Sequence, residues 1–277
     1  MPRLIAALLL ASLMIAIGWL AGGAALAICA AVSMGVNWAV FVPSNALKTE
    51  RYYDLTGGLT YLTLLAVGLT LSADIGAREA IVTAMVAVWA IRLSSFLFRR
   101  IRRDGKDGRF DAIKVSWSRF LIAWTLQGMW CFLTALGALI LLTSPTPEGL
   151  TLVDLVGFAI WGVGFAIEVV ADRQKSAFRA RPESEGRWID EGLWSTSRHP
   201  NYFGEIMLWT GIFVVGAGVF QGWQWLGVLS PLFVTLLLTK VSGLPMLEQR
   251  ADERWGDDPA YRAYKVETPV LIPTLRR

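Results

Sequence analysis

The residues most able to do chemistry are concentrated at positions 192–205, which read GLWSTSRHPNYFGE. Pro200 restricts His199 to an extended conformation and suits the first turn of a helix, so a helix is predicted to begin there. A helix N-terminus offers free N–H groups and partial positive charge, and Arg198 beside it can pair with a phosphate. The pattern therefore predicts an anion-binding site, although an ordinary arginine anchor at a membrane surface also explains Arg198.

Polar side chains spaced by four residues extend this site along two apolar segments. Asn201 and Glu205 share one helical face, and Glu168 and Asp172 share a face of the preceding segment. Ionisable groups within a membrane span are costly and usually face a polar cavity or a partner. The four side chains are predicted to line one cavity, and pairing of Asp172 with a neighbouring basic residue is the alternative.

Two further polar groups lie at the ends of apolar segments. Lys240 and Glu248 belong to a stripe of residues spaced by four at the end of the last apolar segment. A terminal lysine anchor is the alternative interpretation of Lys240. Glu50, Tyr53 and Asp54 precede the third apolar segment. A carboxylic acid or a tyrosine beside an apolar cavity can keep its proton and donate it to a carbonyl oxygen, so these three are candidate catalytic residues. A solvated loop is the alternative interpretation.

The composition assigns these residues to a membrane protein. Of 277 residues, 55% are hydrophobic and only 17% are charged, which leaves no room for a large soluble domain. The single histidine excludes metal sites built on two imidazoles, and Cys29 and Cys131 lie in apolar runs as packing residues. Without a glycine-rich dinucleotide fingerprint or a phosphate loop, any nucleotide must be held by arginines and helix ends. We interpret the net charge of +4 as a determinant of membrane orientation and expect no nucleic-acid partner.

The polar residues are positioned by apolar runs that are long enough to cross a membrane. They predict an all-α, polytopic transmembrane helical bundle of eight spans, or seven as the alternative, with residues 1–277 forming one domain. Residues 1–43 supply the first two spans unless the first is a signal peptide. The predicted spans lie at about 4–21, 24–43, 59–73, 79–98, 119–143, 151–171, 204–220 and 223–240.

The basic residues predict the orientation of the bundle. They cluster in residues 99–114, 173–198 and 250–277, and all three segments follow even-numbered spans. The positive-inside rule makes these segments, both termini and the cofactor site cytoplasmic. Residues 247–264 are predicted to form a short helical or interfacial tail, interrupted at 256–259 and packed under the cytoplasmic mouth.

Residues 192–205, residues 172–179 and the tail ending in Leu271-Ile272-Pro273 together resemble the C-terminal region of the steroid 5-alpha-reductase family, in particular its bacterial membrane members. The resemblance covers about residues 150–275, the cofactor-binding region, and is weak upstream of residue 120. It implies a reductase of the bacterial inner membrane that uses NADPH to reduce a carbon–carbon double bond conjugated to a ketone. A lipid-like enone or 3-oxo-4-ene steroid is the implied substrate, with membrane lipids around the protein and no obligate protein partner.

The resemblance also implies roles for individual residues. The family has a ketone-polarising glutamate at a fixed distance before a tyrosine. Trp89 stands near that tyrosine position, and counting back by the same distance places Asp54 at the position of the glutamate. Asp54 or Tyr53 would therefore hydrogen-bond the developing enolate oxygen. At this register the family's glutamine and tyrosine are not kept, and Glu168 replaces an asparagine. Arg179 and Arg198 would pair with the cofactor phosphates. The residues implied to contact NADPH are Asp172, Arg179, Asn201, Glu205 and Lys240, with Arg198, His199 and Tyr202 beside them and Glu248 in the last stripe.

Two other functions compete with this one. The arginine-histidine-proline-x-tyrosine motif also resembles isoprenylcysteine carboxyl methyltransferases, which use S-adenosylmethionine. Those enzymes usually carry adjacent glutamates in the tail, where this chain has Glu248 followed by Gln249. A transporter or membrane assembly factor would use the intramembrane acids as a solute path, but the sequence shows no internal repeat that would favour it.

Overall fold

The computed structural model describes residues 1–72, 74–105, 107–147 and 149–274, and within these ranges it contains helices and no β-strand. The helices are α1 (Pro2–Ala46), α2 (Tyr53–Leu71), α3 (Ala77–Asp104), α4 (Trp117–Thr143), α5 (Leu152–Arg179), α6 (Pro200–Ala217), α7 (Leu229–Leu236), α8 (Leu244–Trp255) and α9 (Pro259–Glu267). Short 3₁₀ turns lie at Gly108–Phe110, Pro182–Ser184, Gly192–Ser195 and Gly222–Val228, and a π-helical turn lies at Leu237–Val241. The all-α prediction is confirmed.

Six helical segments of the described chain are long and apolar enough to cross a membrane, which is consistent with a multi-pass membrane protein. They are Pro2–Ala46, Tyr53–Leu71, Ala77–Arg103, Trp117–Thr143, Leu152–Arg179 and Gly222–Trp255. Each of the eight predicted spans overlaps a helical segment, and α6 covers most of the seventh. The number of spans stays a prediction, as does their orientation.

The first of these segments contains a chain reversal. Gly22 and Gly23 have non-helical backbone angles, and Gly23 adopts a φ of +64° that favours glycine. A Cβ on Gly18 would lie 2.6 Å from the carbonyl oxygen of Leu26, whereas a straight helix would separate these residues by about 12 Å. The predicted spans 4–21 and 24–43 therefore form two helices that fold back on each other.

The chain divides into two compact units. The first comprises Met1–Asp154 and Gly216–Ser230, and the second comprises Leu155–Val215 and Pro231–Arg277. In the first unit α4 packs against α1, α2 and α3. Because α4 is apolar on all sides, its residues 132–142 are all buried. Cys29 and Cys131 are free and buried in this unit, in agreement with a packing role.

A buried ion pair fixes the loop between α4 and α5. The guanidinium of Arg78 contacts the Asp154 carboxylate at 2.7 Å, and both side chains are only 2% exposed. Its other N–H groups donate to the carbonyl oxygens of Pro147 and Gly149, each at 2.8 Å. The Thr151 backbone N–H donates to Asp154 at 2.7 Å. The charges are thus paired and hydrogen-bonded, as buried charges must be.

In the second unit α5 and α6 approach each other closely through glycines. A Cβ on Gly164 would lie 2.7 Å from the carbonyl oxygen of Gly204, and one on Gly157 would lie 2.8 Å from that of Gly211. The earlier glycine of α5, Gly157, meets the later glycine of α6, Gly211, and the opposite holds for Gly164 and Gly204. The two helices therefore run antiparallel. Small residues allow such close contact between helices in membranes.

Candidate functional site

The loop before α6 is fixed to the last turns of α5 by a glycine and a buried tryptophan. Gly192 has a φ of +60°, and the Gln174 side chain fills the space where a larger residue would place its Cβ. The Gln174 side-chain oxygen accepts a hydrogen bond from the Leu193 backbone N–H at 2.9 Å. The indole N–H of Trp194 donates to a carbonyl oxygen of α5 at 3.0 Å, and the Lys175 ammonium lies 4.4 Å from the centre of its ring.

Backbone hydrogen bonds from the C-terminal tail complete the loop. The Arg198 N–H donates to the carbonyl oxygen of Pro269 at 2.8 Å, and the Thr274 N–H donates to that of Thr196 at 3.0 Å. The Ser197 hydroxyl donates to a further tail carbonyl at 2.8 Å. The tail therefore runs alongside residues 196–198 and holds them in place immediately before the start of α6.

One carboxylate of α8 binds both charged residues of the motif. Glu248 Oε2 accepts a hydrogen bond from Arg198 Nη1 at 2.6 Å, and Glu248 Oε1 lies 2.8 Å from His199 Nε2. The Lys265 ammonium of α9 lies 3.4 Å from the same carboxylate. The side chains of Arg198 and His199 are only 10% and 8% exposed, whereas Glu248 and Lys265, at 21% and 26%, form the more exposed side of this cluster. Arg198 is thus not a solvated anchor but part of a network that joins the motif to the tail.

Two nitrogens of this cluster are buried without a hydrogen-bond partner in the part of the chain that the structure describes, namely Arg198 Nε and His199 Nδ1. Buried polar groups of this kind usually have a partner. Burial lowers the pKa of His199 below its usual value, despite the opposing effect of its hydrogen bond to Glu248. The imidazole is therefore neutral at pH 7, and one of its nitrogens is a hydrogen-bond acceptor.

The four residues predicted to line a cavity lie on α5 and α6. The Asn201 side-chain amide donates to Asp172 at 3.3 Å, which joins the two helices. Glu168 and Glu205 are buried as well. A Cβ on Gly204 would lie 3.1 Å from Glu168 Cβ, so the close helix contact brings Glu168 next to the residue preceding Glu205. The second unit therefore brings all four predicted residues to one helix pair.

The remaining residues predicted to bind the cofactor occupy different positions in the same unit. The Tyr202 ring is stacked on the His199 imidazole, with ring centres 5.7 Å apart and planes inclined by 17°. Arg179 is the exposed last residue of α5. Lys240 is exposed on the π-helical turn, a type of distortion that often occurs at functional sites. Tyr202 thus contacts the cluster through His199, while Arg179 and Lys240 lie on the surface of the second unit.

The candidate catalytic residues lie in the first unit. Glu50 is buried and accepts hydrogen bonds from the Lys114 ammonium at 2.7 Å and from the Asp107 backbone N–H at 3.1 Å. Burial alone would raise the pKa of Glu50, but these hydrogen bonds together outweigh it and lower the pKa below its usual value. Glu50 is therefore ionised at neutral pH, which suits an ion-pair partner rather than a proton donor.

Tyr53 and Asp54 also have partners in the first unit. The Tyr53 hydroxyl donates to the carbonyl oxygen of Ala123 at 2.9 Å, and the Tyr53 ring contacts the rings of Phe110 and Trp124. The Asp54 carboxylate lies 3.9 Å from the Arg100 guanidinium, which is a loose contact. These contacts hold the first turn of α2 in place, and the catalytic role of both residues stays a prediction.

Sequence reasoning missed the part that α9 plays in the site. Lys265 bridges Glu248 and Asp252, and the Tyr264 hydroxyl donates to the Trp194 carbonyl oxygen at 2.8 Å. Burial raises the pKa of Tyr264 well above its usual value, so this hydroxyl keeps its proton. The spacing of Tyr261 and Lys265, four residues apart on a short amphipathic helix, was the available signal. Among the described residues, no three histidine, cysteine, aspartate or glutamate side chains are grouped so as to hold a metal ion.

Comparison with known proteins gives one family and one relative. A family model described as "Protein of unknown function (DUF1295)" matches residues 40–268, which include every candidate site residue. The "Probable O-methyltransferase ustE" of Ustilaginoidea virens is 32% identical over 66 residues, or 24% of this chain. The match spans only 23% of the length of that protein. No solved structure matches the chain.

Proposed function

The chain belongs to the DUF1295 family, and from this premise we propose that it is a membrane-bound reductase that uses NADPH to reduce a carbon–carbon double bond conjugated to a ketone. The family is linked to steroid 5-alpha-reductase-like membrane proteins, in keeping with the resemblance carried by residues 192–205. The substrate class is a lipid-like enone such as a 3-oxo-4-ene steroid. The proposed location is a bacterial inner membrane, with the basic segments and the C-terminus on the cytoplasmic side.

The observation that carries the cofactor proposal is the buried arginine before α6. Arg198 uses Nη1 to bind Glu248, while its Nε–H is buried without a partner among the described residues. An unpaired buried donor on a charged group costs free energy, and a phosphate oxygen of a nucleotide would satisfy it with a charge-assisted hydrogen bond. The N-terminus of α6 adds partial positive charge beside it. This arrangement fits the phosphates of NADPH.

The neighbouring side chains fit the uncharged parts of a nucleotide. Asp172 and Asn201, already joined at 3.3 Å, together offer acceptors and a donor for ribose hydroxyls or a carboxamide. Tyr202 offers a ring for stacking. Arg179 and Lys240, both exposed, are assigned to the outer phosphates. Glu205 completes the polar side of α6.

The chemistry then divides between cofactor and protein. When bound, NADPH supplies the hydride that is added to the β carbon of the enone. Hydrogen bonding by a protein acid stabilises the negative charge that develops on the ketone oxygen, a role for which Asp54 and Tyr53 are the candidates. A proton from water completes the product at the α carbon. The double bond is thereby reduced by one hydride and one proton.

Cofactor binding and turnover test the proposal on the purified full-length protein in detergent. NADPH is titrated while tryptophan fluorescence is followed, and progesterone or androstenedione is then added while nicotinamide absorbance is followed. Arg198→Met should weaken NADPH binding by about 10- to 150-fold, because a hydrogen bond to a charged group contributes about 1.5–3 kcal/mol. Arg181→Met is the matched control, since its ion pair with Glu191 is 45% exposed on both sides. Equal NADPH affinity of Arg198→Met and wild type, or no NADPH binding at all, would contradict the proposal.

The match to an O-methyltransferase supports a second candidate, an S-adenosylmethionine-dependent membrane methyltransferase. When bound, S-adenosylmethionine would supply a methyl group to a substrate oxygen by cleavage of its sulfur–methyl bond, which would leave S-adenosylhomocysteine. The buried acids Glu168, Asp172 and Glu205 suit a positively charged sulfonium or ammonium group. Parallel titrations with NADPH and S-adenosylmethionine separate the two candidates. Saturable binding of S-adenosylmethionine without binding of NADPH would favour the methyltransferase.

A further inference from the structure

The histidine of the motif is held by the same carboxylate as the arginine, and this contact determines which atom it offers to a ligand. Glu248 Oε1 lies 2.8 Å from His199 Nε2, while Glu248 Oε2 binds Arg198 at 2.6 Å. We propose that Glu248 is a positioning residue that keeps the hydrogen of His199 on Nε2, so that His199 Nδ1 recognises a hydrogen-bond donor of the ligand. The inference rests on the proposed function, because it concerns the cofactor site of that enzyme.

The tautomer follows from the partner. A carboxylate oxygen can only accept a hydrogen bond, so the contact with Glu248 requires the hydrogen of His199 to be on Nε2. Burial and the positive charges of Lys175 and Arg198 disfavour a second proton on the ring, although Glu248 favours it. The Lys265 ammonium lies 3.4 Å from Glu248 and partly offsets the carboxylate charge that favours the second proton. In the neutral ring that results, Nδ1 carries a lone pair and can only accept.

The ring has little freedom to turn away from this arrangement. The His199 backbone N–H donates to Ser197 Oγ at 3.2 Å, and the Tyr202 ring is stacked against the imidazole with ring centres 5.7 Å apart. The His199 side chain is only 8% exposed. A flipped ring would place a C–H group against Glu248 and lose the 2.8 Å hydrogen bond, which is costly in a buried site. The position of Nδ1 is therefore fixed by contacts within the protein before any ligand binds.

Two adjacent residues thus present complementary unsatisfied atoms. Arg198 Nε–H is a buried donor, His199 Nδ1 is a buried acceptor, and neither has a partner in the described part of the chain. The matching ligand carries an anionic oxygen next to an O–H or N–H group. A phosphate next to a ribose hydroxyl provides this in NADPH, and the carboxylate next to the ammonium group provides it in S-adenosylmethionine. Both cofactor classes share the recognised chemistry, so the ligand arm of the test must separate them.

The single histidine of the chain allows a direct test by nitrogen NMR. Full-length protein labelled with ¹⁵N-histidine in detergent micelles gives signals from one imidazole only. We expect wild type at pH 7 to show the neutral Nε2–H tautomer, and Glu248→Gln to retain it because the amide oxygen still accepts. Glu248→Ala should give a mixture of tautomers. Glu253→Ala, an exposed change on the same helix, is the control and should leave the spectrum unchanged.

An Nδ1–H tautomer or a charged imidazole in wild type would overturn the inference, as would an unchanged spectrum in Glu248→Ala. NADPH, S-adenosylmethionine and inorganic sulfate are then added separately. The cofactor that binds should shift the Nδ1 signal, whereas sulfate should not, because it carries no hydrogen at pH 7 and can satisfy only Arg198. We expect the affinity for the cofactor that binds to fall roughly ten-fold in Glu248→Ala and to be largely retained in Glu248→Gln.

The ligand arm separates failure of this inference from failure of the proposed function. Tight cofactor binding with an unchanged Nδ1 signal overturns the recognition role of His199 and leaves the proposed function intact. If neither cofactor binds, the proposed function fails, and the recognition role of His199 fails with it. The tautomer measurement on the free protein still decides the positioning role of Glu248 in that case.

Discussion

The glycine contact between α5 and α6 should control both stability and ligand binding, and Gly164→Ala tests it with a single methyl group. The added Cβ would lie 2.6 Å from the Leu208 backbone nitrogen and 2.7 Å from the Gly204 carbonyl oxygen. Uncrowded carbon contacts are about 3.5–4.0 Å long, so the helices must separate locally by about 1 Å. Both close atoms belong to the backbone, and no side-chain rotation can relieve the contact.

Two opposing effects set the expected magnitude. Overpacking of this kind costs about 1–3 kcal/mol, and the better helix propensity of alanine returns up to about 1 kcal/mol. We expect a net loss of about 1–2 kcal/mol. Gly162→Ala on the same helix is the matched control, because its Cβ would meet no atom within 4 Å. That variant should be as stable as wild type or up to about 1 kcal/mol more stable.

Unfolding of the purified variants by increasing SDS in mixed micelles, followed by tryptophan fluorescence, measures the difference. Ligand binding gives a second readout, since separation of the helices lengthens the 3.3 Å contact between Asn201 and Asp172. Cofactor affinity should therefore fall in Gly164→Ala and not in Gly162→Ala. Equal unfolding midpoints and equal affinities in the two variants would refute the idea that close helix contact builds the site.

Three further predictions concern the charged groups. Arg78→Ala should destabilise the protein by about 3–5 kcal/mol because it leaves a buried carboxylate unpaired, whereas Arg181→Ala, which breaks an exposed pair, should cost less than about 1 kcal/mol; SDS unfolding compares them. In the folded protein the pKa of His199 lies below its usual value, so the unfolded chain takes up the proton first as pH decreases. The free energy of unfolding should therefore fall as pH decreases below about 6.5. His199→Gln should remove this dependence, which is measured as unfolding midpoints across a range of pH. The pKa of Glu50 is lowered in the folded protein, so its stabilising effect is present above about pH 4.3 and is lost as pH falls further. Lys114→Met should weaken this acid sensitivity and lower the free energy of unfolding by about 1–3 kcal/mol at pH 7.

The helices were predictable because each depends on local sequence. Long apolar runs give the spanning segments, Pro200 marks the start of α6, and two consecutive glycines separate the first two predicted spans. The interruption of the tail at residues 256–259 also matches the break between α8 and α9. In each case the signal lies within a few residues of the feature that it predicts.

The partners of the charged residues were not predictable in the same way. Arg78 and Asp154 each stand at the edge of a predicted span, and the sequence offers no sign that they meet. The contact of Glu248 with Arg198 likewise joins residues 50 positions apart. A single sequence indicates that an intramembrane charge needs a partner, but the choice of partner depends on how the helices pack. The sequence therefore predicts candidate residues one at a time, whereas the contacts that orient them depend on the folded structure.

The hydrogen-bond network around Glu248 joins the motif at the start of α6 to the C-terminal tail. Residues 196–198 take part in hydrogen bonds with the tail backbone at 2.8–3.0 Å, and Glu248 binds the two side chains that the motif supplies. A loop with few local hydrogen bonds would otherwise sample many conformations, and ordering it on binding would cost affinity. Because α8, α9 and the segment after them supply these contacts, the tail preorganises the arginine and the histidine. The tail is thus part of the candidate binding site.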